Sequence, residues 1–173
     1  NGLTAGTSIT GQKLHIHDAT IVQGNGSGAL VTDVDTLTLV DISSSVTLSN
    51  DRDLEILAAN VDIDATLDIT AQADLTVGGD VNTTAANKGT ANAIELNSGG
   101  DMIFKSSAST SATITLDAGG AIVDTGDAAA SQINADTLEI IDAASIGAST
   151  GDDALDIAVT NLTVAGATGN AAV

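Results

Sequence analysis

Short apolar–polar–apolar triplets recur in this chain at a constant displacement, and that displacement constrains the fold more than anything else in it. Val40-Asp41-Ile42, Val46-Thr47-Leu48 and Leu54-Glu55-Ile56 map onto Val61-Asp62-Ile63, Leu67-Asp68-Ile69 and Leu75-Thr76-Val77, each 21 residues later. In an extended strand such a triplet sends its outer two side chains to one face and its middle one to the other. Ile94-Glu95-Leu96, Ile114-Thr115-Leu116, Leu138-Glu139-Ile140 and Leu162-Thr163-Val164 then follow one another by 20, 24 and 24 residues. An independent series, Met102, Ile122 and Ile146, steps by the same 20 and 24. Two series that share irregular steps belong to one stacked object.

The fold class this predicts is all-β: a right-handed parallel β-solenoid, three-sided, with about 20–24 residues per coil and roughly eight coils. At about 4.8 Å per layer the rod is about 40 Å long. Helix is excluded because apolar positions lie two apart within a triplet and six to nine apart between triplets, and β-branched residues abound. A leucine-rich repeat lacks its Leu and Asn pattern here, and a sandwich does not require a constant shift. Residues 1–173 read as one solenoid segment. Coils over 1–35 are less regular (Leu14-His15-Ile16, Ile21-Val22, Leu30-Val31), and those over 36–173 are regular, with longer corners near 80–93 and 124–132. Gly78-Gly79-Asp80, Ser98-Gly99-Gly100-Asp101 and Ala118-Gly119-Gly120 supply corners.

Composition agrees with a narrow core. Aromatics are 1% of the chain, a single Phe, so Val, Ile, Leu and Ala must fill the interior. With no Pro, no strand loses a donor. Four basic residues face 23 acidic ones, for a net charge of −19. That surface repels nucleic acid and anionic membrane, and it favours divalent cations and solubility. No Cys means no disulfide framework or thiolate metal site. No apolar run reaches the length of a membrane span. The opening Asn1-Gly2-Leu3-Thr4 has no basic or apolar leader character, so the chain reads as an internal or processed piece.

The triplets sort residues into inside and outside. Ile56, Ile63, Ile69, Val77, Leu116 and Ile140 are expected inside, and Glu55, Asp62, Asp68 and Glu139 outside. Outward columns alternate acid and Thr: Glu95, Thr115, Glu139, Thr163, with Thr47 against Asp68 and Glu55 against Thr76. Stacked carboxylates would repel by about 0.9 kcal/mol even in bulk water, and alternation avoids that. The exception is Asp41 over Asp62, with Asp64 facing the same way. These three form the candidate metal site, with calcium as the cation, set against the plainer reading of solvated carboxylates. No other cofactor is indicated. Asn50-Asp51-Arg52-Asp53 and Gly151-Asp152-Asp153 read as Asx turns that could bind calcium only weakly. His15 and His17 share one face of a strand, but two ligands do not complete a metal site.

Catalysis is not expected. A lyase or hydrolase on a β-helix needs a face of basic, aromatic and paired acidic residues. Lys13, Arg52, Lys88 and Lys105 are scattered, and Trp and Tyr are absent. The expected function is therefore structural: an elongated rod, with a ligand-binding solenoid face (ice or carbohydrate) as the alternative. Ice binding wants Thr-x-Thr on many successive coils, and only Thr36-Leu37-Thr38 and Thr113-Ile114-Thr115 fit. Solenoid ends expose strand edges, so self-association end to end, or continuation of a longer chain, is the expected partnership.

From about Leu54 to Gly169 the chain resembles the β-solenoid repeats of filamentous-haemagglutinin-like large exoproteins. The resembling stretches are Asp74-Leu75-Thr76-Val77-Gly78-Gly79-Asp80-Val81, Leu116-Asp117-Ala118-Gly119-Gly120-Ala121-Ile122, and Ser145-Ile146-Gly147 followed by Ala154-Leu155-Asp156-Ile157 and Asn161-Leu162-Thr163-Val164. The resemblance implies a bacterial surface adhesin or extracellular filament, exported by two-partner secretion through an outer-membrane partner. That family's amino-terminal secretion domain has no counterpart in these residues.

Overall fold

The computed structural model describes residues 8–11, 13–17, 30–42, 45–61, 66–83, 93–125, 132–147, 154–169 and 171. Among them there are strands and turns only, and every strand pairs in parallel with an equivalent strand one layer away. The first layer holds β1 (Ser8–Thr10) and β2 (Lys13–His17); the second, β3 (Leu30–Asp33) and β4 (Thr36–Ile42); the third, β5 (Val46–Asn50) and β6 (Leu54–Val61). The fourth holds β7 (Leu67–Ala71), β8 (Leu75–Val77) and β9 (Val81–Thr83), and the fifth β10 (Ala93–Ser98), β11 (Met102–Phe104) and β12 (Ala108–Ser109). β13 (Thr113–Ala118), β14 (Ala121–Asp124) and the first half of β15 (Ile133–Asp142) make the sixth. The rest of β15, β16 (Ser145–Ile146) and the first half of β17 (Ile157–Val164) make the seventh.

Three faces result. The first is the ladder β1-β3-β5-β7-β10-β13-β15-β17. The second joins the start of β4 and of β6 to β8, β11, β14 and β16. The third joins the ends of β4 and β6 to β9, β12, the start of β15 and the start of β17. The solenoid reading therefore holds. Five turns, from 30–42 to 113–135, are paired on both sides on all three faces, fewer than the rough estimate of eight coils.

Most of the triplet correspondences appear as register pairs. Val46 lies beside Leu67 and Leu48 beside Ile69; Leu54 lies beside Leu75 and Ile56 beside Val77. Ile94, Ile114, Leu138 and Leu162 form one row, and Met102, Ile122 and Ile146 another. Ile56, Ile69, Val77, Leu116 and Ile140 are all fully buried; Ile63 lies outside the described residues. Phe104 is the largest side chain in the core.

Two expectations need correction. First, the 21-residue displacement fails on the third face: Ile42 sits beside Val61, not Ile63. β6 turns its corner as one continuous strand, with Leu57 44% exposed at the bend, and β4 slips register twice to follow it. Second, the corner read at 80–93 contains a strand, β9, with Val81 and Thr83 inward. The step across that layer lengthens to 27 residues, from Ile69 to Leu96 and from Leu75 to Met102.

Candidate functional site

The first-to-second corner is the most regular part of the surface. In four successive layers three residues stand between the last inward row of the first face (Asn50, Ala71, Ser98, Ala118) and the first inward row of the second (Leu54, Leu75, Met102, Ile122): Asp51-Arg52-Asp53, Gln72-Ala73-Asp74, Gly99-Gly100-Asp101 and Gly119-Gly120-Ala121. Each Asp Oδ1 accepts the backbone N–H of the equivalent residue one layer on. Asp74 N–H donates to Asp53 (3.2 Å), Asp101 N–H to Asp74 (2.8 Å) and Ala121 N–H to Asp101 (2.8 Å). The layers approach so closely that a Cβ on Gly99 would strike the Gln72 carbonyl oxygen, and one on Gly119 that of Gly99. The acidic corner at 50–53 thus starts a structural ladder of Asp acceptors, Asp53, Asp74 and Asp101, and its sequence signal is an Asp directly before three of the second-face triplets.

Arg52 stitches three layers here. Its Nη2 donates to the carbonyls of Gly11 (2.9 Å) and Asp33 (2.7 Å), and Nη1 lies 2.7 Å from Asp35 Oδ1. Its Nε is 2.7 Å from Asp33 Oδ1, though not aligned for a hydrogen bond. Inside the same corner Asn50 is fully buried, accepting from Thr32 Oγ1 and Val34 N–H and donating to the Val34 carbonyl.

On the first face the outward column runs Thr47, Asp68, Glu95, Thr115, Glu139, Thr163. Acid and Thr alternate except at Asp68 beside Glu95. The 27-residue step hides this pairing from a reading that compares triplets at 20 to 24 residues. Burial, and secondarily the Glu95 charge, raise the Asp68 pKa above the ordinary carboxylate range. Asn97 Nδ2 softens the clash from 3.5 Å away. Glu55, Asp68 and Glu139 point outward as expected but are half-buried by their column neighbours; Glu95 is exposed. Lys105 Nζ reaches Glu55 across two layers at 3.6 Å. At the second-to-third corner, hydrogen bonds from Ser106 and Ser107 (2.8 and 2.9 Å) hold the Asp80 carboxyl below its usual range.

The third face carries a groove of about 810 Å³ along the rod axis. Its floor is the row of side chains that close the third-face strands: Thr83, Thr110, Ala135 and Val159. One wall is the outward column Asn82, Ser109, Asn134, Ala158, in register through four layers. The other wall is Ser111, Asp136 and Thr160, each at the turn into the next layer. Thr83 and Thr110 share a buried hydrogen bond of 2.8 Å. Ser111 Oγ is buried with no hydrogen-bond partner.

Asp41 lies in β4 with its side chain outside the described residues, and Asp62 and Asp64 fall outside them altogether. Gly151-Asp152-Asp153 and the side chains of His15 and His17 are likewise outside the described residues. Among the described residues no cluster of three or more metal-ligating side chains forms. No family model, curated protein or solved structure matches the chain.

Proposed function

We propose that the chain is a structural segment of an elongated surface or filament protein, with no catalytic step of its own. The observation that carries this reading is the outer edge of β17. Leu162 and Val164 stand in register with Leu138 and Ile140, which are fully buried, yet are themselves 41% and 40% exposed. They are core residues of a solenoid waiting for the next layer. Residues 157–173 contain no Asp, Glu, Lys or Arg, so another coil meets this layer without charge repulsion, whereas the flanks of a −19 chain repel lateral neighbours. The added layer is either later chain or a second copy joined end to end.

The resemblance to filamentous-haemagglutinin-like exoproteins supports the finer version: a secreted bacterial surface adhesin or extracellular fibre, exported through an outer-membrane partner and displayed at the cell surface. Calcium held by Asp41, Asp62 and Asp64 belongs to the same reading. Sedimentation and electron microscopy of the 173-residue chain test the stacking. Rods that lengthen with concentration, and shorten to single units in Leu162→Asp, are expected. A chain that stays monomeric at every concentration, with Leu162→Asp indistinguishable from it, would overturn the proposal.

A further inference from the structure

The third-face groove has the chemistry of a ligand site that the rod itself does not need. Its walls offer amides and hydroxyls, which both donate and accept: Asn82, Asn134, Ser109 and Thr160. Ser111 also lines the groove, but its Oγ is shut away from solvent, so the polar recognition falls to the other four. The column from Asn82 to Ala158 crosses four layers, about 14 Å at one strand spacing per layer.

These features select among ligand classes. Asp136 in the wall, the net charge of −19 and the lack of any Lys or Arg among the described lining residues disfavour phosphates and polyanions. A lipid finds no apolar wall. An extended peptide would seek free backbone edges, but β12 and the start of β15, which build the middle of the groove, are paired on both sides. An unbranched neutral polyol chain meets every condition: vicinal hydroxyls match the amides and hydroxyls, and its repeat is close to the layer spacing. We propose that this groove binds a neutral linear oligosaccharide of about three sugar units, lying along the rod axis across the layers that contain Asn82, Ser109, Asn134 and Ala158. With no aromatic ring in the lining to stack on a sugar, single-groove affinity is weak, and an elongated assembly gains avidity by repetition.

Titrations of cellotriose, maltotriose and trigalacturonic acid followed by saturation-transfer NMR test this. At least one neutral trisaccharide should bind and trigalacturonate should not. Asn82→Ala and Asn134→Ala should each weaken binding by about 5-fold, one hydrogen bond's worth. Ser109→Trp, from an outward position, should abolish it by filling the groove. Ser111→Ala, whose hydroxyl is shut away from the groove, and Thr115→Ala on the first face should both bind normally. The proposal is overturned if neither neutral sugar binds, if trigalacturonate binds as well as they do, or if a folded Ser109→Trp retains affinity. Should Ser109→Trp not fold, unchanged affinity in Asn82→Ala and Asn134→Ala overturns it equally.

Discussion

Replacing Asn50 tests how the interior of the fixed corner is held. Its Oδ1 accepts from Thr32 Oγ1 (2.8 Å) and from Val34 N–H (3.0 Å). Its Nδ2 donates to the carbonyls of Val34 (3.0 Å), Arg52 (3.0 Å) and Asp53 (3.3 Å). Asn50 and Val34 are both fully buried. Asn50→Ala strands the Val34 N–H and C=O away from water, at about 1–3 kcal/mol each, for a loss of roughly 2–6 kcal/mol. The Arg52 and Asp53 carbonyls are partly solvated and add little. Because each layer of a solenoid contacts only its neighbours, the loss concentrates in 30–42 and 46–61. Asn50→Asp keeps the two acceptor contacts, loses all three donor contacts and buries a charge, so at neutral pH the order of stability is Asn, then Ala, then Asp. Urea unfolding followed by circular dichroism gives the magnitude, and hydrogen exchange gives the location. If Asn50→Ala melts with the parent, or if protection falls evenly along the rod, then water reaches this corner and the reasoning fails.

Ile69→Asp places a charge at a fully buried position and should cost about 3 kcal/mol or more; a parental melting curve would refute the inward assignment of its strand. Asp68 has a raised folded-state pKa, so its penalty is absent below the unfolded value, grows as pH rises and is complete above the folded value. Asp68→Asn should therefore raise stability at neutral pH by less than about 1 kcal/mol, discounted for a half-exposed pair, and the gain should vanish in acid. Asp80 works in the opposite sense: its lowered pKa gives stability that is present above the unfolded value and lost as pH falls, so Ser106→Ala should shrink the acid sensitivity of its corner. Millimolar calcium should raise the melting temperature more than sodium at matched ionic strength, and Asp41→Asn with Asp62→Asn should remove the difference; equal effects would reduce it to screening.

The first and second faces were legible because their inward positions are filled by large aliphatic residues. Rows such as Ile94, Ile114, Leu138 and Leu162 announce themselves by type alone. The third face was nearly silent. Val81-Asn82-Thr83, Ala108-Ser109-Thr110 and Ile133-Asn134-Ala135 put Thr83, Ala108, Thr110 and Ala135 at inward positions beside Val81 and Ile133, and such small or polar residues read in sequence as loop. The buried Asp124, in the row of Phe104, was hidden for the same reason. The Asp53, Asp74 and Asp101 ladder left a clear trace, an acid immediately before a triplet, but its function shows only when the next layer's N–H is seen. The groove left no trace, because its lining comes from four layers and none of its residues is unusual alone.

Corner length is fixed on one side of the coil and free on the others. The first-to-second corner keeps three residues between inward rows over four layers, locked by the Asp acceptors and by glycines against the backbone below. Length varies instead on either side of the third face. Three residues join β11 to β12, but eight join β14 to β15 and ten join β16 to β17. Nine more residues stand between β9 and β10. An insertion at the first corner would break a hydrogen-bonded ladder along the whole rod, whereas one beside the third face leaves the stacked rows in register, as the shared steps of 20 and 24 show. Loop closure penalises added length only weakly, so such insertions cost little. A solenoid built this way holds two faces constant for stability and leaves the third free to differ from layer to layer. The groove lies on that third face, bounded by the corners where sequence can change without cost to the rod, which is where a stack of otherwise equivalent layers can acquire a specific surface.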